Sequence, residues 1–459
     1  MNREKLLVTL GWVFLLVFCS GLLAEAEETL NIEKVIEYAL TNNAEVKKAE
    51  YQVEIARSAL KLTQNNTFSP AVAVSQNVSL GGDFAPGLTI NIKDSLSFRA
   101  SDEEEKARLN LAQAERNLAS VKETVKKACI TTYLALLENQ QSLTLAQKTY
   151  QLMQKKYEKT KVQAEEGNAS LISLLEAEKN LREAEYTVEN LTQNSILLKK
   201  QLNGIMGRSL DTPFAVEPLP EISFPPVHLE ELKAKALTTH REVEEVKSER
   251  ASLEIDLKSL RKEKQPVVKL LAEYQKEDWS LSAAFNASQG ALEWEIAKNL
   301  SSTYNNSSFL TGTSEEDWGI GMVISWNLSS GGTLEEQEKQ LKLQIAQNDE
   351  TLRALQADLE NTIESKYLEF RQAQNEGKLR ATTLRIAEEE YRVKKTQWEQ
   401  GAIDSIALLE SELAFLQAQN DYQKNIFTSL TSWLDLEETM GEPISFQNLV
   451  KSDPKGVNQ

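Results

Sequence analysis

The sequence predicts a mostly α-helical protein with a β-barrel part, built from two tandem repeats of long coiled-coil helices plus β-hairpins. Three observations support this fold class. Long segments repeat apolar residues every three or four positions, shorter segments alternate apolar and polar residues, and the second half of the chain repeats the first. Only 18 glycines and 10 prolines interrupt the 459 residues, which favours long helices.

The first 26 residues have the pattern of a secretory signal peptide. Arg3 and Lys5 precede an apolar run over residues 6–23, and residues 24–26 match a small-residue cleavage site. An uncleaved membrane anchor and a lipid attached at Cys19 are the alternatives. The segment is therefore predicted to direct export and to be removed from the mature protein.

The composition argues against several classes of function. A formal net charge of −18 has the wrong sign for nucleic-acid binding, which requires basic surfaces. Two histidines and two cysteines leave little for a soft-metal site or for a histidine-assisted nucleophile. The sequence therefore predicts no enzyme, no cofactor or metal, and no nucleic-acid partner.

Residues 234 positions apart in the two halves repeat one another. Gly167 corresponds to Gly401, and Met206 corresponds to Met440. The same offset at both pairs, which lie about 40 residues apart in each half, predicts a tandem duplication. The predicted first repeat covers 27–207, with a β-hairpin at about 68–100 and a helical hairpin at about 102–205. A proline-rich linker over 208–228 follows it. The predicted second repeat covers 229–441, with a β region at about 266–329 and a helical hairpin at about 333–440, and a tail covers 442–459.

Each half contains long helical segments with a narrow apolar stripe. In the segment over about 102–165, apolar or small residues recur at Leu111, Ala114 and Leu118. At 1.5 Å per residue this helix would be about 95 Å long. An ordinary two-stranded coiled coil would have the same stripe, so the helices alone do not decide the architecture.

Two alternating segments in the first half predict a β-hairpin. Residues 71–80 and 88–99 each place apolar side chains on one face, and a glycine- and proline-containing stretch separates them. Their length suits tilted membrane strands, although a half-buried soluble hairpin would alternate in the same way. The residues predicted to face lipid are Val72, Val74, Leu88, Ile90 and Ile92.

Residues 279–287 and 318–328 alternate in the second half and are rich in tryptophan. Their apolar face would be a large exposed patch on a secreted protein, whereas tryptophan is typical of membrane interfaces. Residues 291–304 alternate more weakly and form either an extra hairpin arm or a long surface loop. The lipid-facing residues predicted here are Trp279, Trp318, Ile320, Ile324 and Trp326.

These four predicted strands are too few to close a barrel by themselves. An open sheet edge is not stable in lipid, so several chains must combine their strands. Three chains would supply about twelve strands, which lies within the range of membrane barrels. The long helices of three chains would also close a cylinder, so the sequence predicts a homotrimer in contact with membrane lipid.

These features together resemble the TolC-type outer-membrane efflux factor family. The residues that carry the resemblance are the helical start LNIEKVIEYALTNNAEV, the Gly-x(4)-[IL]-x-[LV]-L-E-x-E motifs at 167 and 401, the strand WGIGMVISWNLSSGG and the Met-Gly that ends each repeat. The resemblance implies a trimer with a 12-stranded barrel in the bacterial outer membrane and an α-helical tunnel in the periplasm. It also implies the channel component of a tripartite efflux or type I secretion system. The implied partners are a periplasmic adaptor (membrane fusion) protein and an inner-membrane pump.

The same resemblance implies roles for residues at the glycine turns. Gly167 and Gly401 would form periplasmic tips that dock the adaptor, together with Asn168, Ser170 and Ala402. Asn168 departs from the leucine that the family often carries there, which leaves the choice of adaptor open.

A periplasmic gate is the second site that the resemblance implies. Glu410 and Trp398 would line it, and three copies of the carboxylate in a trimer would favour cations. The alternative for Glu410 is a solvated or helix-paired surface carboxylate. For the whole chain, the alternative is a secreted or periplasmic coiled-coil structural or adaptor protein.

Overall fold

The computed structural model describes residues 28–65, 71–78, 86–97, 102–276, 279–287, 291–299, 316–325, 332–444 and 446–449. The predicted signal peptide, Trp326 and residues 450–459 lie outside the described residues. Two compact units share the chain. The first comprises the segments up to Lys47, Ser120–Thr238 and Leu359 onwards, and the second comprises Lys48–Ala119 and Thr239–Asp358. Each unit therefore contains segments from both halves of the sequence.

The described residues are mostly α-helical, as the sequence predicts. The helices are α1 (Ile32–Asn42), α2 (Ala44–Asn65), α3 (Asp102–Glu165), α4 (Leu171–Ile205), α5 (Leu229–Thr239), α6 (Arg241–Glu263), α7 (Thr333–Glu399) and α8 (Ser405–Thr439), with a 3₁₀-helix at Phe446–Leu449. With 64 and 67 residues, α3 and α7 confirm the predicted long helices. Among the described residues, no helix has both the length and the apolar character needed to cross a membrane.

Local sequence explains where several of these helices begin. The Asn31 side chain accepts a hydrogen bond of 2.9 Å from the Lys34 N–H at the start of α1. Ser170 and Asp404 cap α4 and α8 in the same way. Residues 102–105 are all acidic and occupy the first turn of α3, where carboxylates complement the positive end of the helix dipole.

The core of the first unit is built around Tyr133 of α3. Its hydroxyl group is a hydrogen-bond donor to the carbonyl oxygens of Leu30 at 3.1 Å and Glu217 at 2.6 Å. These carbonyls belong to or follow a short parallel pair of strands, β1 (Glu28–Leu30) and β4 (Phe214–Val216). Burial raises the pKa of Tyr133 well above its usual value, so the hydroxyl keeps its proton and ties α3 to the strands.

Part of the proline-rich linker packs on aromatic residues of α7 and α8 in the first unit. The ring of Phe224 lies edge-on to Phe370 of α7 with centroids 5.2 Å apart, and Phe370 lies 5.2 Å from Trp433 of α8. The Ser223 N–H donates to the Leu449 carbonyl at 2.8 Å. The linker is therefore held by specific contacts in this part.

Ion pairs join the helices of the second unit. Lys262 of α6 contacts Asp102 of α3 at 2.7 Å, and Lys264, just after α6, contacts Glu338 of α7 at 2.6 Å. Hydrogen bonds from Lys264 and then Lys342 lower the pKa of Glu338 to about 2. The carboxylate therefore stays ionised at neutral pH.

A six-stranded antiparallel sheet also belongs to the second unit. Its strands are β2 (Ala71–Val78), β3 (Pro86–Ser97), β5 (Val267–Lys276), β6 (Trp279–Asn286), β7 (Ala291–Asn299) and β8 (Glu316–Ser325). They lie in the order β2-β3-β7-β6-β5-β8, and every neighbouring pair is antiparallel.

The prediction of four strands is wrong for this sheet. Strand β5 escapes prediction because its sequence, VVKLLAEYQK, mixes lysine, leucine and glutamate on one of its two faces. Residues 291–299 form strand β7, so the weakly alternating segment begins as part of a hairpin within the sheet. The number of strands that several chains place in one barrel stays a prediction.

Candidate functional site

One face of the sheet is mostly apolar, and the charged residues Lys276 and Lys298 share it near one end. The strand register places Tyr274 of β5 beside both Leu281 of β6 and Trp318 of β8, and the alternation of side chains carries the pattern across all six strands. Trp318 is 74% exposed and Ile320 is 78% exposed. This apolar sheet face consists of Val72, Val74, Ile90, Ile92, Val268, Leu270, Tyr274, Trp279, Leu281, Phe285, Leu292, Trp294, Ile296, Trp318, Ile320, Met322 and Ile324.

The opposite face of the sheet is polar. Lys93 of β3 is directly opposite Glu295 of β7, and such cross-strand pairs of unlike charge stabilise a sheet. Lys269 of β5 lies 3.7 Å from Glu293 of β7. The sheet thus separates a charged surface from an apolar one, as the wall of a membrane channel does.

Aromatic side chains gather near one end of the apolar sheet face. Tyr274, Trp279 and Trp318 all lie near the end of the sheet where β5 finishes and β6 and β8 start. The Lys298 ammonium lies 4.5 Å from the centroid of the Trp279 ring, a cation–π contact. Aromatic and lysine side chains together are typical of the boundary between lipid and water.

The two predicted tips have the same backbone geometry. Gly167 has φ of 78° and Gly401 has φ of 74°, conformations that side chains other than glycine adopt at a cost. The Asn168 N–H donates to the Gln163 carbonyl at 2.7 Å, and the Ala402 N–H donates to the Gln397 carbonyl at 2.8 Å. This is a Schellman motif in both repeats, which ends the helix and reverses the chain.

The helices that leave the tips are capped at equivalent positions by different side chains. Ser170 accepts from the Ser173 N–H at 3.1 Å, and Asp404 accepts from the Ala407 N–H at 2.9 Å. The hydrogen bond from Ala407 and the nearby Lys159, 3.4 Å away, lower the pKa of Asp404. Only the second tip therefore carries a titratable cap.

Ion pairs connect α3 and α8 near the tips. Lys156 contacts Glu410 at 2.7 Å and Lys148 contacts Glu412 at 2.8 Å. Further from the tips, the Gln141 amide donates to the Gln423 side chain at 3.2 Å. The two helices therefore run antiparallel and side by side along this part of the first unit.

The other two long helices expose their apolar residues. Among the described residues, α8 has no exposed large apolar side chain and α3 has only Val162. By contrast, α4 exposes Leu171, Ile172, Leu175, Tyr186, Ile196 and Leu197, and α7 exposes Leu343, Leu368, Leu379, Ile386, Val393 and Trp398. We call these two sets the α4 stripe and the α7 stripe.

Comparison with known proteins finds no matching family model and no matching curated protein. Solved structures do match. The outer membrane protein VceC from Vibrio cholerae has a TM-score of 0.64 at 15% identity, over 90% of this chain and 97% of that chain. The CmeC outer membrane channel of Campylobacter jejuni has a TM-score of 0.64 at 13% identity, over 92% of this chain and 87% of that chain. The MtrE outer membrane channel of Neisseria gonorrhoeae has a TM-score of 0.61 at 14% identity, over 90% and 89%.

This chain has the fold of these outer-membrane channels. The predicted fold class, long helices combined with strands, is thereby confirmed, and so is the resemblance noted in the sequence at the level of the fold.

The structure gives the predicted gate residue a partner that the sequence did not suggest. Glu410 pairs with Lys156 of a different helix, rather than with a residue one turn away on α8. Trp398 is the next-to-last residue of α7, and its carbonyl accepts the Gly401 N–H at 2.8 Å. The sequence feature that could have indicated this partner is charge complementarity, because α3 carries lysines near its end and α8 carries carboxylates near its start.

The predicted lipid-facing residues of the described strands fall on the sheet. Val72, Val74, Ile90 and Ile92 share the apolar sheet face with the predicted residues of β6 and β8. Leu88 lies within β3. The sequence missed β5 and the contribution of β7 to this face.

Proposed function

We propose that this protein is a passive outer-membrane exit duct, the channel component of a tripartite efflux or type I secretion system. The observation that carries the proposal is the exposed apolar sheet face in a chain with the fold of outer-membrane channels. Water-exposed patches of this extent are rare on soluble proteins, and lipid is the environment that suits them. In this proposal the sheet is the membrane part and the helical hairpins are the periplasmic part.

The proposed duct is a homotrimer. The α4 stripe and the α7 stripe need neighbours, and a second copy of the chain offers the complementary stripe to each. A head-to-tail contact of this kind closes a ring when the rotation between copies is right. The absence of such stripes from α3 and α8, which already contact each other, supports this pairing.

Fractionation of a bacterium with two membranes tests the membrane location. The full-length protein should appear in the outer-membrane fraction as a detergent-resistant trimer that becomes a monomer on heating. Ile320→Arg should reduce this trimer sharply, because arginine at mid-membrane depth costs about 2–4 kcal/mol on a lipid-facing position. Gly321→Arg is the matched control, because the next residue points to the opposite face and a side chain there meets open space. A soluble monomer or dimer in the periplasm would instead support a coiled-coil structural protein.

The two tips are proposed as the docking sites for a periplasmic adaptor of an inner-membrane pump. Gly167, Asn168 and Ala402 are exposed at turns of identical geometry. A photo-crosslinking amino acid at Asn168 or Ala402 should capture a helical-hairpin adaptor in cells. The control position is Glu189, which is exposed in the middle of α4. Equal capture at Glu189, or no capture at the tips, would reject the docking role.

Glu410 and Trp398 are proposed to lie at the periplasmic gate. The Lys156–Glu410 pair holds the start of α8 against α3, so movement of α8 would have to break it. Glu410→Ala should therefore raise single-channel conductance in planar bilayers or change cation block. Glu376→Ala, which removes an ion pair within α7, is the control. Unchanged conductance and block in Glu410→Ala would remove this residue from the gate.

A further inference from the structure

The β6–β7 hairpin is an insertion between strands that could otherwise pair directly. We propose that this hairpin is built into the membrane ring, so that each chain contributes six strands and the homotrimer closes an eighteen-stranded barrel. The inference rests on the proposed trimeric channel and specifies its pore wall.

Hydrogen-bonded pairing places the hairpin inside the sheet. Strand β7 pairs with β3 from Thr89↔Asn299 to Ser97↔Ala291, and β6 pairs with β5 from Lys269↔Asn286 to Lys276↔Trp279. An arm projecting from the sheet would lack one of these two pairings. The hairpin therefore separates β3 from β5 along its full length.

The hairpin continues both faces of the sheet. Leu281 of β6 is opposite Ile296 of β7, and both share the apolar sheet face. Ser282 and Glu295 are opposite each other on the polar face. A hairpin exposed to water would not be expected to extend the apolar face of β2, β3, β5 and β8. A strand in a membrane ring must present apolar side chains to lipid.

The outermost strands suit closure by further copies of the chain. β2 and β8 are at the two ends of the sheet order and run antiparallel to each other, because the number of strands is even. Joining β8 of one copy to β2 of the next leaves every neighbour antiparallel and no edge in lipid. Six strands alone fall below the roughly eight that the smallest membrane barrels use. Three copies give eighteen.

The consequence is a wider ring than four strands per chain would form. At similar strand tilt the diameter of a barrel grows roughly in proportion to the number of strands. Eighteen strands should therefore give a barrel about 1.5 times as wide as twelve.

Electron cryomicroscopy of the full-length protein in detergent tests the count directly. We expect a threefold ring with eighteen strands. A threefold ring with twelve strands, or a ring of two chains, would overturn the inference while leaving a channel in place. A protein that forms no membrane ring would instead contradict the proposed function.

Deletion of residues 277–300 provides a second test of the ring. β7 and β5 run in the same direction, so β3 can pair with β5 in the antiparallel sense once the hairpin is removed. The variant should keep its trimer and lose about a third of the barrel diameter. An unchanged diameter would show that the hairpin lies outside the ring.

Paired substitutions keep the inference testable if the deletion variant does not fold. Leu281→Arg should lower the yield of heat-modifiable trimer by more than about tenfold, because arginine would face lipid. Ser282→Arg, on the polar face of the same strand, should change the yield little. Equal yields from the two variants would place the hairpin outside the membrane and overturn the inference.

Discussion

At the ends of the two repeats, equivalent residues have the same surroundings, whereas in the middle of their helices they do not. Leu202 and its counterpart Leu436 are both fully buried. By contrast, Ile196 is 47% exposed, and its counterpart Leu430 is fully buried. The same divergence affects α3 and α7, where Leu134 is 4% exposed and Leu368 is 59% exposed.

The duplicated halves share their local structure but not their tertiary surroundings. The glycine turns and caps repeat because the hydrogen bonds that form them lie within about six residues. The environments depend on tertiary contacts: α8 contacts both α3 and α7, whereas α4 and α7 keep apolar stripes on their surfaces. Duplication thus supplied two pairs of similar helices, and in each pair one helix is largely free of exposed apolar side chains while the other keeps an exposed apolar stripe.

The largest expected effect concerns the pair Leu430 and Ile196. Leu430→Ala should lower the free energy of unfolding by about 2–5 kcal/mol, because it removes a fully buried side chain. Ile196→Ala should have a much smaller effect on unfolding but should weaken the proposed trimer. Chemical denaturation followed by circular dichroism, with trimer content measured on unheated gels, distinguishes the two. Equal destabilisation by both substitutions would contradict the difference in burial between Leu430 and Ile196.

The glycines at the base and tip of the first repeat should also differ. Gly207 has φ of 68°, and a Cβ there would lie 2.6 Å from the Asn42 carbonyl oxygen. Gly167 has φ of 78°, but a Cβ would meet no atom within 4 Å. Gly167→Ala should therefore cost about 1–2 kcal/mol for the backbone conformation alone, and Gly207→Ala should cost more. Thermal unfolding of the two variants would test this, and a larger loss for Gly167→Ala would contradict it.

The tips should respond differently to acid. The folded-state pKa of Asp404 is lowered, so the stabilisation by this cap is present above the unfolded pKa and is lost as pH falls through the folded pKa. Ser170 does not titrate, so the helix cap of the first tip should be unaffected. Hydrogen exchange at neutral pH and at about pH 3 should show extra opening of residues 400–408, with 166–174 as the internal reference. Asp404→Asn should abolish the difference, and parallel changes in both tips would refute the prediction.

The smallest expected effect concerns the ion pair between α3 and α8. Lys156 and Glu410 are both partly exposed, so a double-mutant cycle with Lys156→Gln and Glu410→Gln should give a coupling energy below about 1 kcal/mol. The coupling should fall further in high salt, because solvent screens such pairs. Arg182 and Glu185, an exposed pair within α4, should give a still smaller value. A coupling of several kcal/mol would indicate that the Lys156–Glu410 pair is desolvated.

Much of the fold was predictable because its signals are local. The apolar stripe of α3, the glycines at 167 and 401 and the alternation in β2, β3, β6 and β8 each depend on short-range patterns. The strand β5 was not predictable, because lysine and glutamate interrupt its alternation and only its neighbours β6 and β8 define its faces. The partner of Glu410 was equally hidden, since Lys156 lies on another helix.

The sequence by itself determined the long helices, the two equivalent turns and the existence of strands with one apolar face. Backbone conformational preference, capping and the spacing of apolar residues suffice for these features, because they act within a few turns of helix or a few residues of strand. Only the tertiary structure decided that six strands form one sheet, that β7 lies between β3 and β6, and that α3 contacts α8. These choices depend on hydrogen bonds and contacts between residues far apart in the chain, and two similar repeats offer the same local pattern to more than one partner.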